Sequence, residues 1–172
     1  MKKLLYILAA IAILITVLFT YLGIFTTAEV VVKPSETMFV AGIPFEGSVD
    51  DEKFGNAFRR AAELRDKGEL KGMLGNIYYN NPEAKGDSIE AFIGLIVPDS
   101  TVSLPADYEL RQVPAMKKVV QATANANVIF LPKKLYTAVF DYAKENDLDL
   151  ETFYVEWFPE DDAGVVQVPV KQ

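Results

Sequence analysis

Twice along this chain a long extended run is followed by a segment whose apolar residues recur every 3.6 positions, and then by two further apolar runs joined by turn residues. In the first copy Thr37 to Gly47 is the long strand, bent or edged at Pro44. Ser48 or Asp50 caps a helix over Asp51 to Lys67, where Phe54, Ala57, Phe58, Ala61 and Leu64 make one stripe and Gly68 supplies a left-handed stop. Met73 to Asn80 and Ser88 to Val97 are the remaining strands, with turn chemistry at Asn80-Asn81-Pro82 and Lys85-Gly86-Asp87. In the second copy Leu110 to Ala124, interrupted by Pro114, is the long strand. A helix over Lys133 to Glu145, entered at Leu131-Pro132, follows with Leu135, Val139 or Ala138, and Tyr142 inward, and Phe153 to Val170 closes the chain as a hairpin. Placing Pro82 over Pro159 superposes the copies at an offset of 77 residues, which sets Tyr79 at the position of Glu156. Neither copy alone can bury its helix stripe and both sheet faces. The predicted fold is therefore α+β, a duplicated strand-helix-strand-strand unit forming one curved antiparallel sheet with two helices on one face. The opposite face then becomes a concave surface at the seam, where ligand clefts form by default.

The closing hairpin carries the functional question. Alternation puts Phe153, Val155 and Trp157 on one face and Tyr154, Glu156 and Phe158 on the other. A carboxylate in mid-strand among aromatics is disfavoured by propensity and by burial, so either its face is solvated or it has a task. Buried and unpaired, Glu156 has its pKa raised, while a cationic ligand favours its charged form. Tyr154 and Phe158 share its face and are the aromatic candidates beside it. Of Tyr78 and Tyr79, alternation and superposition disagree about which one lines the cleft. The Glu160-Asp161-Asp162 run lacks the spaced oxygen ligands and mid-loop glycine of a calcium loop and reads as a solvated turn.

Ahead of both copies, Leu4 to Phe25 is uncharged over 22 positions, which matches the ~20 residues of a membrane-spanning helix. Lys2 and Lys3 precede it, so the expectation is a single-pass anchor with the N-terminus cytoplasmic and the domain on the far, periplasmic or extracellular, side of the cell membrane. The rival is a signal peptide cleaved after Thr26-Thr27-Ala28. The apolar run exceeds the roughly 7 to 15 residues of a typical signal core, which favours the anchor. The organisation expected is thus an anchor with a short flank over 1–28 and one ligand-binding domain over 29–172.

Inventory excludes much chemistry. With no Cys and no His in 172 residues, disulfides, thiolate catalysis, Cys/His zinc sites, His-ligated haem and Ser-His-Asp triads are ruled out, and no metal or cofactor is called for. From Glu29 onward 24 acidic residues face 15 basic ones, a formal charge of −9, which argues against a nucleic-acid partner.

The element order, the segment Ile77 to Pro82 (IYYNNP) and the Glu156 hairpin ending VQVPV resemble the GyrI-like small-molecule-binding domain, also the effector-binding module of multidrug-responsive regulators. The layout is most similar to a membrane-anchored, testis-expressed GyrI-like receptor of reticulum autophagy. The resemblance covers roughly Thr37 to Val170. It implies a central cleft for hydrophobic, often cationic, compounds, with Glu156 matching the family's buried glutamate and Tyr154, Phe158, Tyr78 and Tyr79 around it. Some members of the family hydrolyse strained cyclopropane toxins with that glutamate. The function implied is a membrane-anchored binding protein for hydrophobic, cationic small molecules; the alternatives are a tethered hydrolase using Glu156 and a structural or partner-binding module. Hydrolysis by one carboxylate also needs a positioned acid, for which only a tyrosine is at hand, so binding is favoured.

Overall fold

A computed structural model describes residues 2–84, 88–160 and 162–171, so the Lys85-Gly86-Asp87 turn and Asp161 of the acidic turn lie outside the described residues. In chain order the elements are α1 (Lys2–Tyr21), β1 (Glu29–Lys33), β2 (Met38–Gly47), α2 (Glu52–Asp66), β3 (Met73–Tyr78) and β4 (Ile89–Val97). They are followed by β5 (Glu109–Val113), β6 (Val119–Asn125), α3 (Leu131–Glu145), β7 (Tyr154–Glu160) and β8 (Ala163–Pro169). The fold is α+β, with all strands in one eight-stranded antiparallel sheet of order β1-β6-β8-β7-β3-β4-β2-β5.

That order is symmetric about the β7–β3 pair. On one side β4, β3 and β2 carry α2; on the other β6, β8 and β1 carry α3. The cap of α2 is Asp51 rather than Ser48 or Asp50: its side chain accepts from the Lys53 amide at 2.9 Å, satisfying one of the amide donors a helix start leaves free. Gly68, at φ 71°, turns the chain out of the helix. In α3 no side chain caps the start, and Pro132 occupies the first turn, where its missing N–H costs no helical bond.

Both helices cover the same face. Ile93 and Ala91 of β4 pack in one cluster with Ala57 of α2 and Leu135 and Val139 of α3, while Leu95 and Val97, the next positions on that face, pack with Ala61 and Leu64. Phe92 and Ile96 point the other way, into a cluster with Val40, Ile77, Val113 and Val155 that holds no helix residue. Loops cover part of that second face: the Ser35 amide donates to Met116 O at 2.9 Å, and the Met116 amide to Ser35 Oγ at 2.9 Å.

Three expectations change here. The apolar run from Leu110 to Ala124 is two strands, not one. Pro114 ends β5, which pairs with β2 at one edge of the sheet, and β6 lies in the other half. The offset between the copies follows the β3–β7 pairing, in which Asn76 faces Glu156 across 80 residues. Pro159 is not a turn residue but lies inside β7, where the β7–β8 register shifts, so aligning it with Pro82 misplaced the copies.

The third change is the membrane anchor. Among the described residues no helix is long and apolar enough to cross a membrane. The apolar run does not stay helical to its end: after Tyr21 the chain turns, with Gly23 at φ 67°. Residues 22–25 are instead drawn onto the start of α3. The Asn127 amide donates to Leu22 O at 3.1 Å, Lys134 Nζ donates to Ile24 O at 2.8 Å, and Thr26 Oγ1 donates to Asn125 O at 2.6 Å. The expected single-pass cell-membrane placement, with a cytoplasmic N-terminus and the domain on the far side, is overturned with the anchor. The membrane as a partner, expected through that span, has no spanning helix among the described residues to support it. What remains is a helix whose apolar side chains are largely exposed, Leu14 at 69% for example.

Candidate functional site

Glu156 lies in the middle of β7, directly opposite Asn76 of β3, where the two halves of the sheet meet. It is 3% exposed and Asn76 is wholly buried. Asn76 Nδ2 donates to Glu156 Oε2 at 3.1 Å. The other carboxylate oxygen, Oε1, and Asn76 Oδ1 have no hydrogen-bond partner among the described residues. Loss of hydration disfavours the charged carboxylate and pushes its pKa up to about 7; the Asn76 bond opposes the rise and the charge of Glu83 adds to it. A buried acceptor without a donor is an uncommon and costly arrangement, and such a group marks a place where a ligand can supply what the fold withholds.

The face Glu156 occupies is the helix face, so the concave opposite surface is not where it points. Between α2 and the start of α3 lies a cavity of about 570 Å³, floored by Leu74, Glu156 and Phe158. Phe58 forms its α2 wall, with Gly55 and Ala62 one turn to either side, and Val128 and Pro132 close it from the α3 side. The size falls within the ~300–1,000 Å³ of small-molecule pockets, and the walls are nearly all apolar. Two charged groups stand in those walls, Arg59 and Arg65 of α2.

Of the five residues singled out from sequence, Glu156 and Phe158 line this cavity. Tyr154 is on the same face but 3% exposed, stacked edge-on against Tyr136 at 5.8 Å and Phe140 at 6.3 Å, so it supports α3 rather than bounding the open space. Tyr78 is also on the Glu156 face, 6% exposed; burial first, then the charges of Glu156 and Glu83, push its hydroxyl well above the usual range. Tyr79 is on the other face. Its ring packs on Phe153, and its hydroxyl accepts from Arg111 Nη1 at 2.7 Å. The Arg111 guanidinium in turn sits 4.1 Å above the Phe92 ring centroid, so the aromatic surface of that face already holds a cation of the chain's own.

Sequence reading missed Asn76, which interrupts a strand between Gly75 and Ile77 and carries the same signal as Glu156: a polar side chain where alternation predicts burial. It also missed Tyr136, buried at 2% with its hydroxyl unpartnered and its pKa raised well above the usual range by burial and then by the charge of Glu156. Arg59 and Arg65 gave no signal beyond two basic positions on an amphipathic helix.

No protein-family model matches the chain, and no curated protein matches its sequence. Solved structures do match in fold. An integron cassette protein from the mobile metagenome of Vibrio cholerae superposes with a TM-score of 0.62 at 16% identity, over 86% of this chain and 99% of that one. The C-terminal domain of EcmrR gives 0.59 at 13%, over 84% and 98%. SAV2435, solved bound to tetraphenylphosphonium, gives 0.58 at 11%, over 83% and 94%. The chain thus shares its fold with these three proteins. The narrower likeness to a membrane-anchored autophagy receptor is not supported, since no helix among the described residues is long and apolar enough to span a bilayer.

Proposed function

We propose that this chain binds hydrophobic, cationic small molecules in the cleft between α2 and α3, with Glu156 as the charge partner and Phe58, Leu74 and Phe158 as apolar walls. The observation that carries the reading is the unpartnered Oε1 of a buried carboxylate whose residue lines an apolar cavity. A cation satisfies that oxygen and returns the stabilisation the carboxylate lost on leaving water; an apolar body replaces water along the walls. SAV2435, of the same fold, is bound to a compound of this description, tetraphenylphosphonium.

Calorimetry with tetraphenylphosphonium and with neutral triphenylphosphine oxide tests it. Glu156→Gln keeps volume and hydrogen-bonding reach while removing the charge, so the cation is expected to lose ~2 kcal/mol or more and the neutral compound little. Equal losses for the two compounds overturn a charge-reading cleft, and so does an unaltered chain that binds neither.

A further inference from the structure

Resting on that reading and deepening it, we infer that the ligand of this cleft is dipolar: an apolar body whose cationic group meets Glu156 and whose anionic group meets Arg59 and Arg65. Both arginines line the cavity that Glu156 also lines, and that glutamate's Oε1 has no hydrogen-bond partner among the described residues. Neither is absorbed by the fold. Arg59 is exposed and makes no ion pair among the described residues. Arg65 is paired only with its sequence neighbour Asp66, at 2.9 Å, a contact that leaves it partly exposed beside the opening.

Charge makes this placement informative. The chain carries 24 acidic and 17 basic residues, yet the two charged residues with which α2 lines the cavity are both basic. A purely cationic ligand meets two like charges near the carboxylate it seeks. A ligand with an anionic group a few bonds from its cation meets one opposite charge inside and two in the α2 wall. Space is left for such a group, because α2 presents no side chain at Gly55, where an added Cβ would have nothing within 4 Å, and only a methyl at Ala62.

Two phosphonium salts with the same apolar body separate the possibilities: propyltriphenylphosphonium, a pure cation, and 3-(triphenylphosphonio)propane-1-sulfonate, which adds one anionic group. The full chain is expected to bind the sulfonate about three- to tenfold more tightly, the effect of one or two partly exposed ion pairs. Added salt is expected to shrink that preference. The double variant Arg59→Gln with Arg65→Gln, at sites that are not core, is expected to lose the preference and to bind the pure cation more tightly than the unaltered chain does. Glu156→Gln is expected to weaken both compounds. Equal affinity of the unaltered chain for the two salts, tighter binding of the pure cation, or a preference that survives in the arginine double variant overturns the inference and leaves the cation-binding reading standing. Binding of neither salt overturns both.

Discussion

Glu156 makes the stability of this protein depend on pH in the direction opposite to most carboxylates. In the unfolded chain it titrates near the ordinary value of 4.5, and in the fold near 7. Below pH 4.5 it is protonated in both states and costs nothing. Between these values the unfolded chain gives up its proton while the folded one keeps it, so stability falls as pH rises, by roughly 3 kcal/mol in all, and levels off above about 7. Denaturant midpoints measured from pH 4 to 8 should show this decline from Glu156, and Glu156→Gln should remove it, so the variant gains on the unaltered chain as pH rises. A constant difference between the two would place the carboxylate in water. The affinity for tetraphenylphosphonium, whose own charge does not titrate, should move the other way and increase as pH passes through about 7. At this scale the sequence was informative where a polar residue broke an apolar alternation, as at Glu156. Tyr78 and Tyr79 stayed undecided because alternation disagreed with a superposition that rested on aligning two prolines in different settings, a turn and a shifted strand. Arg59 and Arg65 were illegible because a helix periodicity tells which face is buried but not which flank of that face is left open.

Two glycines give opposite expectations at the scale of elements. Gly94 of β4 pairs with Gly42 of β2 and Gly75 of β3, a row of three across the sheet, and a Cβ at Gly94 would run into the Ala41 carbonyl. Such an approach of backbone to backbone leaves no room to repack, so Gly94→Ala should cost ~3 kcal/mol or more. Gly55 sits inside α2 with nothing within 4 Å of an added Cβ, so Gly55→Ala should stabilise by up to ~1 kcal/mol through helix propensity alone. Thermal melts of the two single variants check both signs; a stabilised Gly94→Ala would show a flatter, more open sheet at β4. Element types were readable because the apolar period switches between 2 and 3.6 along the chain. Bounds failed where a long-range contact decides them. Nothing local in the run from Leu4 to Phe25 reports that Gly23 will pack against Ala126, and a strand and its successor separated by Pro114 look like one interrupted strand until their partners are known.

For the whole molecule, the α+β class and the antiparallel sheet were legible, because two short units each expose more apolar surface than one helix can cover. Which face holds the site was not. That depends on how deeply the helices diverge over the seam, a property of packing that no single segment encodes. The seam itself has a mechanical consequence. The halves meet through a continuous β3–β7 ladder running from Leu74 opposite Phe158 to Tyr78 opposite Tyr154, so separating them means breaking main-chain hydrogen bonds rather than bending a linker. Native-state hydrogen exchange should find the amides of this ladder opening only with global unfolding, with or without tetraphenylphosphonium, while bound ligand slows exchange in α2 and the first turn of α3. Faster exchange in β3 and β7 than in β2 and β4 would show the halves parting. With the floor held rigid, the passage of a bulky guest is governed by how far two helices slide over a sheet that does not give. On the proposed reading, guests enter and leave this cleft through its helical roof, at a rate set by side-chain packing under α2 and α3 rather than by any joint between the halves.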